Sequence, residues 1–266
     1  MADKMKPHLV KEVARIRQWE ADMKLPEAKD IFFKKYHNYY APKNIIRDSK
    51  NVLSFGVGGD CKFEKLILQE NMKLKVRLFD PTPFTRNNIR WIIIKSARGQ
   101  INDLIKNDLI CKRLKFKPIG YGATNSTRNF YYDPRKEPNN ETKQIEHYKQ
   151  SFSLIKENEN CESVPVQVNN LQGIMSDVNL EKVDIIKADI EGLWPEMCNE
   201  IIDNKINIKM LATEFELIFD ELNTALTKAT NIIEKFNNYG YTPVINRRRD
   251  KLMLELLFIR KDYYAG

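Results

Sequence analysis

Short apolar runs alternate with amphipathic stretches along most of the chain, and this alternation predicts an α/β fold. Runs with the length or alternation of strands fall at 52–55, 76–79, 112–119, 164–168, 183–188, 208–216, 240–245 and 252–259. Apolar positions with helical spacing fall at 7–24, 28–36, 85–106, 171–175 and 222–236, and a further helix opens near position 60. The alternation of helices and strands, closed by a final hairpin, indicates helices layered against a sheet.

The pattern divides the chain into an N-terminal helical extension at 1–49 and a main domain at 50–266. Within the main domain, 125–160 is polar and irregular, and only 141–155 has helical spacing. An insertion of this kind over strand ends commonly supplies a lid or a substrate wall, and a plain surface excursion is the alternative.

Composition narrows the class of protein. The chain of 266 residues is 42% hydrophobic and 30% charged, as expected for one mid-sized globular domain with an extension. The net charge of +8 permits an anionic partner such as RNA or a phosphorylated glycan, although charges of both signs are interspersed and favour an ordinary solvated surface. Four scattered cysteines without a CxxC pair, no signal peptide and no apolar run of bilayer length predict a cytoplasmic protein with no membrane segment.

The stretch 51–64, NVLSFGVGGDCKFE, carries the first chemical signal. A strand-like apolar run ends in a turn containing three glycines, and a helical pattern follows directly. A turn between a strand end and a helix N-terminus lets a ligand approach bare backbone. The candidate cofactor contacts in this turn are Phe55, Gly56, Val57, Gly58, Gly59 and Asp60.

A second acid supports a nucleoside-containing cofactor. Asp80 ends the second apolar run and follows Gly59 by 21 residues, which is the spacing at which a carboxylate holds the ribose hydroxyls of an adenosine. The dinucleotide fingerprint would place a third glycine at Cys61, and Asp60 would put a negative charge where a pyrophosphate rests. These residues argue against NAD, whereas S-adenosylmethionine carries no phosphate and is compatible with them.

The stretch 183–192, VDIIKADIEG, carries the second signal. An apolar run suited to a buried central strand ends in Asp189, and Glu191 continues the turn before Trp194 and Pro195 open a helix. Ligands bind at this end of a parallel sheet. Two acids at a strand terminus could bind a metal, act as a base or cap the helix.

These segments together resemble a known family. SFGVGGDCKFE, the acid in LFDPTP and the run VDIIKADIEG are similar to the FkbM-type S-adenosylmethionine-dependent methyltransferases. The resemblance implies a Rossmann-like class I methyltransferase fold whose mostly parallel seven-stranded sheet has one antiparallel strand. It also adds Pro81, Gly120, Tyr121, Ala123 and Asp189 to the candidate cofactor contacts, although a plain turn explains the glycines after the third strand equally well.

One residue departs from the general methyltransferase pattern. That pattern has an acid two residues before the first glycine, and this chain has Ser54 there. The contact to the methionine amino group would then move to Asp60 or to backbone carbonyls.

The resemblance implies methyl transfer to an oxygen, with a hydroxyl of a sugar, glycan or other small metabolite as acceptor. The candidate catalytic residues are Asp189, Glu191 and Glu214. Asp189 or Glu191 could remove the hydroxyl proton, or the two could hold a divalent metal ion that lowers the pKa of the hydroxyl.

Two alternatives remain open at the level of sequence. An RNA 2′-O-methyltransferase fits the basic balance and the arginines at 247–249, but Glu214 stands where that class of enzyme would have a catalytic lysine. A binding protein with an inactive methyltransferase fold fits the departure at Ser54.

Overall fold

The structure is a computed structural model that describes residues 7–31, 33–57, 61–82, 85, 112–132, 159–217, 221–248 and 253–264. The helices are α1 (Pro7–Met23), α2 (Lys43–Asp48), α3 (Lys62–Glu70), α4 (Leu171–Asp177), α5 (Trp194–Asp203), α6 (Leu222–Asn238) and α7 (Lys261–Tyr264), with a 3₁₀ turn at Ala28–Ile31. The strands are β1 (Lys34–Tyr36), β2 (Tyr39–Ala41), β3 (Asn51–Phe55), β4 (Lys75–Phe79), β5 (Leu114–Lys117), β6 (Gly120–Tyr121), β7 (Ser126–Tyr132), β8 (Glu162–Asn169), β9 (Ile185–Ala188), β10 (Met210–Glu216), β11 (Tyr241–Arg248) and β12 (Met253–Arg260).

The centre of the fold is a seven-stranded sheet with the strand order β11-β12-β10-β9-β3-β4-β5. The five strands from β10 to β5 run parallel to one another. β12 is antiparallel to both of its neighbours, so the chain closes with an antiparallel hairpin. The predicted α/β fold is confirmed, with the mostly parallel sheet and single antiparallel strand that the resemblance implied.

Alternation along the strands gives the sheet two apolar faces. In β3, Leu53 and Phe55 belong to the core cluster that includes residues of α1, α4, α5 and α6. Val52 belongs to the opposite cluster, with residues of the 3₁₀ turn, β1, β2, α2 and α3. Because both faces are covered, the central strands are nearly continuous apolar runs, as buried parallel strands require.

The first 49 residues pack against the domain but are not purely helical. The helix predicted at 28–36 is wrong beyond Ile31, because Lys34–Tyr36 pairs with Tyr39–Ala41 as an antiparallel hairpin. Helix α1 is confirmed, and Ile16 on it lies in the larger core. The indole Nε1 of Trp19 donates a hydrogen bond to Thr230 Oγ1 on α6 at 2.8 Å.

A second, three-stranded sheet has the order β6-β8-β7. The prediction that 125–160 is irregular is wrong for Ser126–Tyr132, which pairs antiparallel with β8 over seven residues. Apart from Thr85, the helices predicted at 85–106 and 141–155 lie outside the described residues. Within the described part of the chain, no helix is both long and apolar enough to cross a membrane.

Candidate functional site

The candidate site lies where the strand order reverses direction. β3 and β9 are neighbours, but the chain runs outward from β3 through β4 and β5 on one side, and from β9 through β10 on the other. The crevice at the carboxyl ends of such a strand pair is where ligands bind in open α/β sheets. Gly56 follows β3 and Asp189 follows β9 at this crevice.

Strand register places three predicted site residues side by side. Phe55 pairs with Phe79 of β4 and with Ala188 of β9. Gly56 therefore sits between Asp80 and Asp189, each being the next residue along its chain. The sequence predicted these three residues from separate motifs, and the sheet gathers them at one edge.

Gly56 is required by backbone geometry. Its φ is +65°, and a Cβ at this position would lie 1.6 Å from the Asp189 carbonyl oxygen. The Gly56 N–H donates to Phe79 O at 3.0 Å, and the Asp189 N–H donates to Phe55 O at 3.3 Å. The absent side chain thus makes room for the main chain of Asp189.

The side chains on either side of Gly56 are buried in the core. The ring of Phe55 is 1% exposed and stacks on Phe79 with the ring centroids 5.0 Å apart. Val57 is buried in the opposite core cluster. Gly58, Gly59 and Asp60, also predicted as cofactor contacts, lie outside the described residues.

Ser54, the departure from the methyltransferase pattern, has a carboxylate beside it. Its hydroxyl donates to Glu64 Oε1 of α3 at 2.6 Å, and both residues are buried. An acid from the helix therefore lies within hydrogen-bond distance of the strand position where the general pattern has its own acid. The sequence placed Glu64 at the start of a helix but carried no sign of this contact.

Asp80 is buried at the end of β4 and closes a tight turn. Its Oδ1 accepts hydrogen bonds from the Thr82 N–H at 3.0 Å and from Thr82 Oγ1 at 2.6 Å. Pro81 lies against Gly120, where an added Cβ would come within 2.9 Å of Pro81 Cγ. The structure thus brings together Asp80, Pro81 and Gly120, three of the predicted cofactor contacts.

The side chain of Tyr121 has a structural role. The ring meets Phe55 edge to face with the centroids 6.3 Å apart, and the hydroxyl donates to Glu200 Oε2 at 2.9 Å. Burial and the neighbouring carboxylate of Glu200 raise the pKa of Tyr121, so the phenol stays protonated. Ala123, two residues further on, is exposed and lines a cavity described below.

Three carboxylates cluster beside the crevice. One oxygen from each of Asp189, Glu214 and Glu216 lies within 4.8 Å of the others, and both glutamates are almost fully buried. Burial, followed by the charges of Glu191 and Asp189, raises the pKa of Glu216 well above its ordinary value. The sequence marked Glu214 but not Glu216, although residues two apart on a strand share a face.

Glu191 lies in the turn that follows β9. It has a φ of +40°, and Gly192 after it has a φ of +83°. The Gly192 N–H donates to Glu216 Oε2 at 3.0 Å, which ties the turn to the end of β10. Glu191 is thus close enough to influence Glu216, but the three-carboxylate cluster takes its ligand atoms from Asp189, Glu214 and Glu216.

The structure excludes helix capping as the role of Asp189. Helix α5 begins at Trp194, its N-cap residue is Leu193, and Pro195 lies in the first turn. Asp189 lies four residues before that cap. Its position at the end of a central strand is therefore not explained by stabilisation of the helix.

A cavity of about 650 Å³ adjoins the acid cluster. Most of its lining comes from the turn after β6, the strand β7 and the segment that leads into α5, and β10 and α6 add one residue each. The lining residues are Gly122, Ala123, Thr127, Arg128, Asn129, Tyr131, Gly192, Leu193, Trp194, Pro195, Glu196, Glu216 and Lys228. A segment predicted as an irregular insertion thus supplies one wall through β7.

No protein-family model matches the chain, and no curated protein matches its sequence. Methyltransferases are among the solved structures similar to it. The fibrillarin pre-rRNA processing protein of Methanococcus jannaschii is 12% identical, with 88% of this chain and 73% of that chain covered and a TM-score of 0.42. The precorrin-6y C5,15-methyltransferase of Geobacter metallireducens is 9% identical over 90% and 95%, with a TM-score of 0.42. The O-methyltransferase of Bacillus cereus, in complex with SAH, is 8% identical over 97% and 94%, with a TM-score of 0.44.

Proposed function

We propose that this protein is an S-adenosylmethionine-dependent O-methyltransferase of the FkbM type. One observation carries the proposal: strand register sets Gly56 between Asp80 and Asp189 at the point where the sheet order reverses. A glycine turn and an acid after the second strand are the elements that a nucleoside-containing cofactor needs there, and the acid after the central strand adds a candidate base beside them. The sequence motifs that resemble the family fall on these same positions.

The described residues fit this cofactor. In this proposal Asp80 accepts hydrogen bonds from the ribose hydroxyls, and Pro81 packs against Gly120 beside it. In this proposal the turn at Gly56 and Val57 binds the cofactor through main-chain groups, because the Val57 side chain is buried in the core. When bound, S-adenosylmethionine supplies a methyl group activated by a sulfonium.

The protein's own contribution to the reaction is positioning and proton removal. A hydroxyl held in line with the methyl group loses its proton as it attacks, and a carboxylate near the attacking oxygen accepts that proton. Asp189 is half-buried at the strand end, and Glu191 lies in the turn beside it. Either residue serves as the base in this proposal, and Glu214 belongs to the same acid cluster as Asp189.

The cavity supports a small hydroxylated acceptor. Thr127, Asn129 and Tyr131 bring hydrogen-bonding side chains to its β7 wall, and Tyr131 also brings an aromatic ring. Such a mixture of hydrogen-bonding groups and an aromatic surface suits a sugar or a similar metabolite. Glu214, which stands where an RNA 2′-O-methyltransferase would have a lysine, is 1% exposed and sits among acids.

Two measurements test the proposal. Calorimetry should show binding of S-adenosylmethionine and of its demethylated product, and labelled methyl groups should then be transferred to members of a panel of sugars and other hydroxylated metabolites. An RNA arm in the same assay tests the alternative acceptor. Absence of binding contradicts the cofactor assignment, and binding without transfer to any acceptor favours a non-catalytic binding protein.

A further inference from the structure

The acid cluster beside the crevice raises a separate question of charge. Glu214 and Glu216 are 1% and 3% exposed, and Asp189 completes the group from the neighbouring strand. Three carboxylates this close repel one another strongly where water is excluded. Buried acids are retained in proteins when protons, cationic partners or metal ions compensate their charge.

Hydrogen bonds do not satisfy the whole cluster. Glu216 Oε2 accepts from the Gly192 N–H, but Glu216 Oε1 is inaccessible to solvent and has no hydrogen-bond partner among the described residues. A carboxylate oxygen buried without a donor costs stability unless another group meets it. This oxygen belongs to a side chain whose carboxylate is directed into the cluster.

The spacing of the oxygens suits one metal ion. Ligands on opposite sides of a Ca²⁺ ion at about 2.4 Å are about 4.8 Å apart, and those around Mg²⁺ are somewhat closer. The three carboxylate oxygens lie within 4.8 Å of one another. Carboxylates are the ligands preferred by hard divalent cations, which fill their remaining positions with water.

We propose that Asp189, Glu214 and Glu216 form a binding site for a hard divalent cation of the Mg²⁺ and Mn²⁺ class. Glu216 also lines the cavity, so an ion held here has a route for exchange and open coordination positions toward the cavity. This ligand set replaces Glu191, which the sequence paired with Asp189, by two glutamates from β10. The site is inferred from the carboxylates alone and does not depend on methyl transfer.

Manganese titration of the whole chain tests the site directly. After treatment with a chelator and buffer exchange, the loss of the free Mn²⁺ signal in electron paramagnetic resonance should report about one bound ion per chain. Glu216→Gln and Glu214→Gln should each weaken binding about tenfold or more, because each removes one charged ligand. Glu196→Gln serves as the matched control, since Glu196 lines the same cavity but lies outside the cluster.

The outcomes separate the metal site from its alternatives. Absence of bound Mn²⁺ at millimolar concentration overturns the proposal, as does wild-type affinity in Glu216→Gln. Circular dichroism checks that each variant is folded. If Glu214→Gln does not fold, the wild-type titration and the Glu216→Gln variant still test the metal site. The manganese titration contains neither cofactor nor acceptor, so a failure to bind Mn²⁺ does not contradict the proposed methyl transfer. A failure to bind S-adenosylmethionine does not contradict the metal site.

Discussion

At the scale of single residues, Asp80 is the sharpest test of the cofactor site. Its carboxylate is buried beside the crevice, and one oxygen already accepts two hydrogen bonds from Thr82. We expect Asp80→Ala to weaken S-adenosylmethionine binding by about 1.5–3 kcal/mol, the range for hydrogen bonds to a charged group. Calorimetry on the folded variant measures the loss.

Thr82→Val provides the control for this experiment. It removes the hydroxyl donor to Asp80 Oδ1 but keeps the carboxylate, so its effect on affinity reports how far the turn alone matters. A loss of only a few tenths of a kcal/mol in Asp80→Ala would show that the ribose is held elsewhere. Equal losses in the two variants would assign the effect to the turn rather than to a direct contact.

Asp189 and Glu191 carry the second prediction at this scale. Replacing either by its amide preserves shape, so Asp189→Asn and Glu191→Gln should retain fold and cofactor affinity. Turnover should fall by about 10²-fold or more in the variant that loses the base. Steady-state rates on an accepted substrate, measured beside calorimetric affinities, make the comparison.

Wild-type turnover in both amide variants would mean that the acids are structural. Lower turnover in Asp189→Asn together with a loss of manganese binding would assign Asp189 to the metal site. Lower turnover with unchanged manganese binding would instead indicate that Asp189 removes the proton directly. The two readouts therefore separate the roles that the sequence could not distinguish.

At the scale of elements, a charged cluster joins the N-terminal segment to the domain. Glu70 at the end of α3 contacts Lys34 of β1 and both Lys43 and Arg47 of α2. The hydrogen bond from Lys34, more than any other contact, lowers the pKa of Glu70. A carboxyl whose pKa falls on folding stabilises the protein above its unfolded value of 4.5, and this contribution is lost as the pH falls through the folded value.

We therefore expect Glu70→Gln to lower the free energy of unfolding at pH 7 by about 0.5–1 kcal/mol, a small amount because its cationic partners are exposed to solvent. The difference from wild type should shrink in high salt, and it should shrink as the pH falls below 4.5. Urea unfolding at pH 7 and pH 3 measures it. Exposed Glu234 on α6 gives a matched control, and a loss of equal size in Glu234→Gln would refute a specific role for the cluster.

The elements that the sequence predicted best are those with a strong pattern of apolar residues. Strand β9 and helix α6 follow directly from apolar runs and helical spacing. Strand β7 was missed because Phe130 is its one buried side chain, so the period of two is too weak to recognise. The hairpin of β1 and β2 has strands of only three residues. It is held by a contact remote in the sequence, in which the Tyr40 N–H donates to Asn246 Oδ1 at 2.7 Å.

At the scale of the whole molecule, the site depends on strand order that no local pattern contains. The sequence located Gly56, Asp80 and Asp189 correctly at strand ends because each follows an apolar run. Glu216 joins Asp189 only because β10 pairs with β9 in the register that sets Thr213 opposite Ala188. A sheet shifted by one residue would turn both glutamates to the other face, so the acid cluster is a product of long-range pairing.

The final prediction concerns the stability of the whole chain when the cofactor site is filled. A ligand that binds only the folded state at about 100 times its dissociation constant adds about 2.7 kcal/mol of stability. For a domain of this size, this corresponds to a rise in Tm of about 5–10 °C.

S-adenosylhomocysteine should produce this rise in a thermal melt, and NAD should produce none, because Asp60 and Cys61 replace the features that a pyrophosphate requires. At the same ligand concentration Asp80→Ala should show a smaller rise, because the stabilisation falls with the logarithm of the ratio of ligand concentration to dissociation constant. A rise with NAD and none with S-adenosylhomocysteine would reverse the cofactor assignment while leaving the fold unchanged.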